Sequence, residues 1–247
     1  MAQILITGSS GAVARAVCRE LLARGHQLRG FDQRLTPGLI DMVVDNVENR
    51  TSVREAMRGI DTVVHLAAQP HDADFPLLVG PNIVGLFNVL DAARQENANR
   101  VVLASSIQVI ARRSEGSLPA SVSESSPGNH YGLTKLWAET MGEMYARRYG
   151  LSVLAVRIAW LVRNQDEAMS MLRRPRPHLY LSSRDAGRFF ALAIEAKGIE
   201  FAVVYAASKG AETHFDMGPA RRILGYEAQD YWPDGLDFEL PSMDSSK

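Results

Sequence analysis

The stretch "QILITGSSGAVARAVCRELLARG", residues 3–25, decides the fold of this chain. It begins with five β-rich residues, and apolar residues then recur with helical spacing from Val13 to Leu22 until Gly25 ends the pattern. Glycines stand at the point where the strand turns directly into the helix. Such a turn predicts a parallel α/β unit whose helix N-terminus can bind a phosphate group.

The glycine turn has the spacing Gly-x-x-Gly-x-x-Ala, formed by Gly8, Gly11 and Ala14. A dinucleotide pyrophosphate needs glycines there for the tight turn and for close approach of the backbone, and the third position accepts alanine. On its own the turn has low specificity, because many α/β proteins have a glycine between a strand and a helix. The residues expected to contact the pyrophosphate are Gly8, Ser10, Gly11, Ala12 and Val13.

Acidic residues at the ends of the next two strands extend the dinucleotide prediction. Asp32 ends the predicted strand "QLRGFD", 21 residues after Gly11 (32 minus 11), where an acidic side chain binds the hydroxyls of the adenosine ribose. A carboxylate there repels the extra phosphate of NADP, so the sequence favours NAD, although Arg34 nearby leaves NADP open. Asp45, with Asn46 beside it, ends the third strand and can approach the adenine; helix capping is the alternative role of Asp45.

Strand and helix patterns alternate along the first 160 residues. Further strands are predicted at 27–32, 41–46, 61–68, 100–106 and 152–160, and helices at 49–59, 82–97 and 130–150. This order predicts an α/β fold of Rossmann type, a doubly wound parallel sheet with helices on both faces.

After residue 160 the alternation weakens. Residues 161–181 are basic and interrupted by prolines, and we expect a loop or lid there. A helix at 182–196, a strand at 201–208, a helix at 217–226 and a frayed tail at 243–247 are predicted to follow. We therefore expect a single compact domain with two interleaved parts, a cofactor-binding core with the catalytic residues at 1–160 and a small substrate-binding region with the lid at 161–247.

The composition limits the partners of the chain. It has 27 Lys and Arg residues against 28 Asp and Glu, a net charge of −1, which argues against a nucleic-acid or membrane-surface partner. Its single cysteine, Cys18, lies in an apolar helical pattern, which predicts a buried thiol and excludes a cysteine-built metal site. No apolar run approaches the ~20 residues needed to span a bilayer. The sequence predicts a cytoplasmic protein without a metal, whose partner is a small molecule.

The stretch "HYGLTK", residues 130–135, places Tyr131 and Lys135 one helical turn apart on the same face. Ser106 ends the fifth predicted strand, and ligands of an open parallel sheet bind beyond the carboxyl ends of its strands. A hydride transfer between an alcohol and a carbonyl needs a proton carrier, and a tyrosine serves if its pKa falls from about 10 toward 7. The Lys135 ammonium and an oxidised nicotinamide have the sign of charge that lowers the pKa of Tyr131, and Ser106 would hold the substrate oxygen.

The chain resembles the extended short-chain dehydrogenase/reductase superfamily, the NAD-dependent epimerases and dehydratases. The resemblance covers essentially the whole chain and is carried by Asp32 and by the segments "TGSSGAVA", "HLAA", "NIVGLFNVLDAAR", "ASS", "YGLTK", "VRIAW" and "RILGY". It implies NAD as the cofactor and Ser106, Tyr131 and Lys135 as catalytic residues. The cofactor-binding residues that it adds are Leu66, Ala67, Ala68, Asn82, Tyr131 and Lys135.

Within that superfamily the chain looks most like the uronate dehydrogenases, compact NAD enzymes that oxidise the anomeric carbon of a hexuronic acid. Ile107 and Gln108 stand where that group has asparagine and histidine, and Pro70 and Trp160 stand where it has serines. Losing several sugar hydrogen bonds, at ~1 kcal/mol or more each, changes the substrate. Arg176 is aligned approximately with a carboxylate-binding arginine. The expected substrate-binding set is therefore Pro70, Ile107, Gln108, Trp160 and Arg176.

Three functions remain open on the sequence alone. The first is an NAD-dependent dehydrogenase acting on a small hydroxy or carbonyl compound, with a sugar or uronic acid among the candidates. The second is an NAD-dependent epimerase or dehydratase, and the third is a dinucleotide-sensing protein without turnover. The helices at 83–95 and 131–149 resemble the surfaces through which such enzymes dimerise, which predicts a homodimer. Four arginines after residue 160 are either anion clamps or part of a solvated loop: Arg163, Arg173, Arg174 and Arg176.

Overall fold

The computed structural model describes residues 1–112, 118–173 and 176–240, so Arg174 and the tail predicted at 243–247 lie outside the described residues. The strands are β1 (Gln3–Thr7), β2 (Gln27–Asp32), β3 (Asp41–Val44), β4 (Thr62–His65), β5 (Arg100–Ser106), β6 (Ser152–Ile158), β7 (Trp160–Leu161), β8 (Tyr180–Leu181) and β9 (Phe201–Ala206). Seven of them form a parallel sheet in the spatial order β3-β2-β1-β4-β5-β6-β9, and β7 pairs with β8 separately.

The helices lie between the strands, in the order that the alternating pattern predicts. They are α1 (Ala12–Ala23), α2 (Arg50–Met57), α3 (Phe75–Leu78), α4 (Gly85–Gln95), α5 (His130–Tyr149), α6 (Gln165–Arg173), α7 (Ser183–Glu195) and α8 (Gly218–Leu224). A π-helical turn, Val79–Val84, joins α3 to α4. Side-chain caps begin several of the helices: Asn49 accepts the Ser52 N–H before α2, and Asn129 accepts the Gly132 N–H before α5.

Both faces of the sheet are buried, as in other parallel sheets. Alternate residues of β1 point to opposite faces, so Ile4 and Ile6 join the core under α1 and α7, and Leu5 joins the core under α2, α4 and α5. Cys18 belongs to the first of these cores, and burial raises the pKa of its thiol to about 11. The prediction of a buried thiol is confirmed.

Most predicted elements are found at their expected places, and two differ. The helix predicted to begin at residue 82 begins earlier, at Phe75, because Pro76 in the first turn favours a short helix that the π-helical turn continues into α4. The segment 161–181 is not a loop. Asn164 accepts the Glu167 N–H at 2.9 Å and begins α6, whose apolar face, with Ala168 and Met171, is buried.

The helical stretch Phe75–Gln95 has 21 residues, and an 18-residue window of it has a mean hydropathy of 1.4, enough by length and composition to cross a membrane. The expectation that no apolar run approaches this length holds for uninterrupted runs, because the stretch contains Asn82, Asn88 and Asp91. Half of the apolar window is buried inside the protein, where Leu78, Leu86 and Leu90 are fully covered. The apolar residues of this stretch are explained by their packing inside the protein.

Candidate active site

A cavity of about 1100 Å³ opens at the carboxyl ends of the sheet strands. It extends from the glycine turn after β1, past the end of β5, to the segment after β6. This is where ligands of an open α/β sheet bind, and the volume exceeds that of most single small-molecule pockets. The predicted site residues that line it are Gly8, Ser10, Gly11, Ala12, Val13, Asp32, Asp45, Leu66, Ala67, Ala68, Pro70, Ser106, Ile107, Gln108, Tyr131, Lys135, Trp160 and Arg176.

The glycine turn is shaped by close backbone approach. Gly8 has φ +69°, and a Cβ on it would lie 2.6 Å from the Ala67 nitrogen, so this position requires glycine. Gly11 stands at the N-terminus of α1 and has no side chain with which to cap it. The first N–H groups of the helix therefore remain available to a ligand, and they face the cavity at the positive end of the helix dipole.

Asp32 stands beside this turn. Its carboxylate accepts the Ser10 N–H at 3.0 Å and the Arg34 N–H at 3.2 Å, which fixes its direction at the end of β2. Asp45 also lines the cavity, and it accepts hydrogen bonds from the Asn46 N–H and the Asn49 side chain. A negative group at the end of β2 and a cradle of free N–H groups fit the ribose and the pyrophosphate of a dinucleotide.

Two predicted cofactor residues, Asn46 and Asn82, lie outside the cavity wall that the described residues form. Asn46 bonds with Glu48 on the neighbouring turn. Asn82 is buried, accepts the Gln69 N–H at 2.8 Å and donates to Thr134 Oγ1 at 3.0 Å. It therefore ties the loop after β4 to α5, which supports the cavity wall from behind.

Ser106, Tyr131 and Lys135 meet at the middle of the cavity. A Cβ on Gly132 would lie 2.6 Å from the Gln108 carbonyl oxygen, so the glycine lets the first turn of α5 approach the end of β5. The Ser106 side chain lies close enough to the Tyr131 phenol to lower the pKa of that phenol. Lys135 Nζ donates to the Ala104 carbonyl at 2.9 Å and lies 5.5 Å from the centre of the Tyr131 ring.

The pKa of Tyr131 in the chain without a cofactor is set mainly by burial. Burial raises it to about 12, and the Ser106 side chain offsets this only in part. Burial also lowers the pKa of Lys135 to about 8, and its ammonium is bound to Ala104 rather than to the phenol oxygen. Burial therefore dominates the pKa of Tyr131 in the chain by itself, and the fall toward 7, expected from Lys135 together with an oxidised nicotinamide, stays a prediction for the NAD-loaded protein.

Four residues at the far end of the cavity were not anticipated as site residues. His71 and Asp72 follow β4, Asn129 precedes α5, and Glu167 lies in the first turn of α6. Arg163, noted only as one of several arginines, pairs with Glu167 through Nε, 2.8 Å from Oε1, and its Nη1 lies 2.6 Å from His71 Nε2. The polar pair "HD", which follows the predicted strand at 61–68 after Gln69 and Pro70, was the available signal for the first two.

A glycine turn after β1, an acidic residue after β2 and a Ser–Tyr–Lys set across β5 and α5 together define a dinucleotide-binding α/β protein of the short-chain dehydrogenase/reductase type. Residues 4–166 match the NAD dependent epimerase/dehydratase family, and the chain belongs to that family. The predicted family, fold class and NAD dependence are thereby confirmed.

Several known proteins are similar over nearly the whole chain. The L-arabinose 1-dehydrogenase (NAD(P)(+)) of Haloferax volcanii is 33% identical, with 93% of this chain and 97% of that protein covered. The uronate dehydrogenase of Pseudomonas syringae pv. tomato is 26% identical, covering 90% of this chain and 80% of that protein. The crystal structure of uronate dehydrogenase from Agrobacterium tumefaciens has a TM-score of 0.79 at 25% identity, covering 93% of this chain and 85% of that one.

Proposed function

We propose that this protein is an NAD-dependent dehydrogenase that transfers a hydride between the nicotinamide and a small sugar or sugar acid. The observation that carries the proposal is the meeting of Ser106, Tyr131 and Lys135 in one cavity that begins at the Gly8–Gly11 turn. The names of the similar proteins support a sugar substrate, since they are dehydrogenases of arabinose and of uronates.

Each part of the cavity has a role in this proposal. The N–H groups after Gly11 hold the pyrophosphate, and the Asp32 carboxylate accepts hydrogen bonds from the adenosine ribose. Ser106 holds the substrate oxygen beside the Tyr131 phenol, and Tyr131 takes the proton from the substrate hydroxyl during oxidation. NAD supplies the hydride acceptor when it is bound.

The raised pKa of Tyr131 sets a condition on the proton transfer. A phenol whose pKa is about 12 is protonated at neutral pH and cannot act as a base. Additional positive charge near its oxygen stabilises the phenolate and lowers the pKa. Lys135, held next to the ring by Ala104, is one source of such charge, and an oxidised nicotinamide is the other. We therefore infer that Tyr131 becomes active as a base only in the protein loaded with NAD.

We also propose a homodimer formed through α4 and α5. Both helices expose large apolar side chains on the surface, including Phe87 at 39%, Leu133 at 49% and Trp137 at 45%. Such side chains, next to one another on a pair of packed helices, are typical of an interface. Sedimentation equilibrium of the protein and of Trp137→Glu tests this proposal; a monomeric wild-type protein would contradict it.

Absorbance at 340 nm, measured with NAD and a panel of aldoses, uronates and sugar phosphates, tests the dehydrogenase proposal. We expect NADH to form in proportion to the sugar consumed. An altered sugar without net NADH would assign the protein to the epimerases instead. Absence of turnover, together with a rise in melting temperature on adding NAD, would favour a dinucleotide-sensing role.

A further inference from the structure

A hydrogen-bonded cluster closes the substrate end of the cavity, and we call it the Trp160 cluster: His71, Trp160, Arg163 and Glu167. The Glu167 carboxylate accepts the Arg163 Nε–H at 2.8 Å and the Arg163 backbone N–H at 2.9 Å. The Trp160 indole N–H points to the same carboxylate, with Nε1 3.4 Å from Oε2. Arg163 Nη1 lies 2.6 Å from His71 Nε2, which joins the cluster to the loop after β4.

The fold holds Trp160 in place from three sides. Its backbone pairs with Tyr180 in the short sheet of β7 and β8. Its ring packs against a buried apolar group that includes Met171 and Tyr180. Glu167, which binds the indole nitrogen, is itself fixed in the first turn of α6, where its N–H donates to Asn164. The indole is therefore a preset apolar surface in the cavity wall, next to the polar groups of the cluster.

The charges of the cluster cancel each other. Burial disfavours the Glu167 carboxylate, but the hydrogen bonds from Arg163 outweigh burial and lower the pKa of Glu167, which stays ionised. Arg163 donates to Glu167 through Nε and Nη2 and contacts His71 through Nη1, so its guanidinium is already occupied. A sugar carboxylate that bound Arg163 would have to displace Glu167.

The other charges at this end offer an acid little compensation. Arg176 and Asp72 line the cavity there, carry opposite charges and are both exposed to solvent. Water screens an exposed guanidinium, so it attracts a carboxylate much less than a buried one does. A buried anion needs a partner that offsets its desolvation.

On the basis of the proposed dehydrogenase function, we propose that Trp160, oriented by Glu167, determines the specificity of the site and selects a neutral aldose over a sugar acid. The pyranose ring of an aldose has a face of C–H groups that can pack on an indole ring. The hydroxyls at the edge of the ring then point to polar lining residues such as Gln108 and His71. This division between an apolar wall and a few polar groups is common in small-molecule sites.

The test compares kcat/KM for L-arabinose, D-xylose and D-galactose with that for D-galacturonate and D-glucuronate at saturating NAD. We expect the wild-type protein to prefer the aldoses by about tenfold or more. Trp160→Ser should lower kcat/KM for the preferred aldose about tenfold, mainly through KM. Glu167→Gln, which keeps the side chain's size and removes its charge, should cause a smaller loss in the same direction.

Trp232→Phe is the matched control. Trp232 packs against the same buried apolar group as Trp160 but lies outside the described cavity wall. The Trp232→Phe substitution should leave kcat/KM within about twofold of the wild-type value, since no substrate contact is changed. Trp160→Phe, which keeps an aromatic ring at position 160, should lose less than Trp160→Ser, and melting temperatures confirm that each variant is folded.

Binding separates this inference from the proposed function. Tyr131→Phe loaded with NAD should turn sugars over too slowly to disturb a binding measurement, so isothermal titration gives their Kd. Weaker aldose binding in Tyr131→Phe/Trp160→Ser than in Tyr131→Phe supports the role of Trp160. This result would hold even if the wild-type protein formed no NADH. A wild-type preference for uronates that is lost in Arg176→Met would overturn the inference and leave the dehydrogenase proposal intact. Aldose binding and kinetics unchanged in folded Trp160→Ser would do the same.

Discussion

The two ends of the cavity are built in different ways. We call the end around Gly8 and Gly11, proposed to bind NAD, the cofactor end, and the end around Trp160, proposed to bind the sugar, the substrate end. At the cofactor end the backbone forms the site, because Gly8 packs against Ala67 with a positive φ and Gly11 begins a helix with free N–H groups. At the substrate end side chains form it, and Trp160 and Glu167 come from different secondary-structure elements. The glycines of the turn lie close together in the sequence, whereas the side-chain cluster also needs His71, which is 92 residues from Arg163. The two ends should therefore respond differently to substitution.

The largest effect on activity is expected at Tyr131, in the middle of the cavity, where the two ends meet. Tyr131→Phe removes the phenol oxygen beside Ser106 and should lower kcat by ~10²–10⁴-fold, the usual contribution of a general acid or base. NAD affinity should change little, because the ring and its packing remain. Initial rates at 340 nm and titration with NAD measure the two quantities. Turnover near the wild-type rate would remove Tyr131 from the proposed chemistry.

A second comparison uses two Arg–Glu pairs that differ in burial. The Glu139–Arg157 pair beneath the cavity has side chains only 6% and 2% exposed, against 16% and 37% for Glu167–Arg163. Glu139→Ala leaves Arg157 buried without its partner and should cost about 3–5 kcal/mol in the free energy of unfolding. Glu167→Ala should cost about 1 kcal/mol or less, because water reaches Arg163. Urea denaturation of both variants measures these losses. Equal losses in the free energy of unfolding would show that burial does not determine how much each pair contributes.

Gly8→Ala tests whether backbone approach defines the cofactor end. The new Cβ would lie 2.6 Å from the Ala67 nitrogen at a φ of +69°, so we expect a loss of NAD affinity of about tenfold or more. Gly25→Ala is the matched control, with φ +78° but no atom within 4 Å of the new Cβ. It should lose about 1 kcal/mol of stability and keep its NAD affinity. Equal NAD affinity in the two variants would contradict the proposed role of the turn.

The smallest expected effect is on the choice between NAD and NADP. Asp32→Asn keeps acceptor oxygen for the Ser10 N–H and removes the negative charge that repels the extra phosphate of NADP. We expect the NAD-to-NADP ratio of kcat/KM to fall about tenfold, with Arg34 available to the phosphate. Kinetics with both cofactors measure this ratio. An unchanged ratio would mean that Asp32 does not face the ribose.

Local patterns were sufficient for most of the fold and for the cofactor end. The strand-to-helix turn at Gly8, the strand-end Asp32 and the Tyr131–Lys135 spacing each depend on residues close in sequence, and all of them line the cavity. The wall around Asn82 was predicted less well. The Asn82 amide supports the loop after β4 from behind. Its position depends on a π-helical turn, which no local sequence pattern predicts.

The structure of the substrate end could not be predicted from local sequence patterns, for a physical reason. Basic residues and prolines in 161–181 suggested a loop, but the buried face of α6, with Ala168 and Met171, has partners only once β7 and β8 have paired. The contact of Arg163 with His71, 92 residues away, depends on tertiary structure, whereas Glu167 lies only four residues from Arg163. The pKa of Tyr131 depends on burial, which spacing along a helix does not report.

Direct transfer of hydrogen from the sugar to NAD is the central claim, and isotope transfer tests it. The protein would be given an aldose that carries deuterium on every carbon, together with unlabelled NAD, and the reduced cofactor would be analysed by mass spectrometry. The account predicts that the NADH formed is heavier by one deuterium and that Tyr131→Phe forms almost none of it. Reduced cofactor without deuterium, formed from fully labelled sugar, would contradict the account.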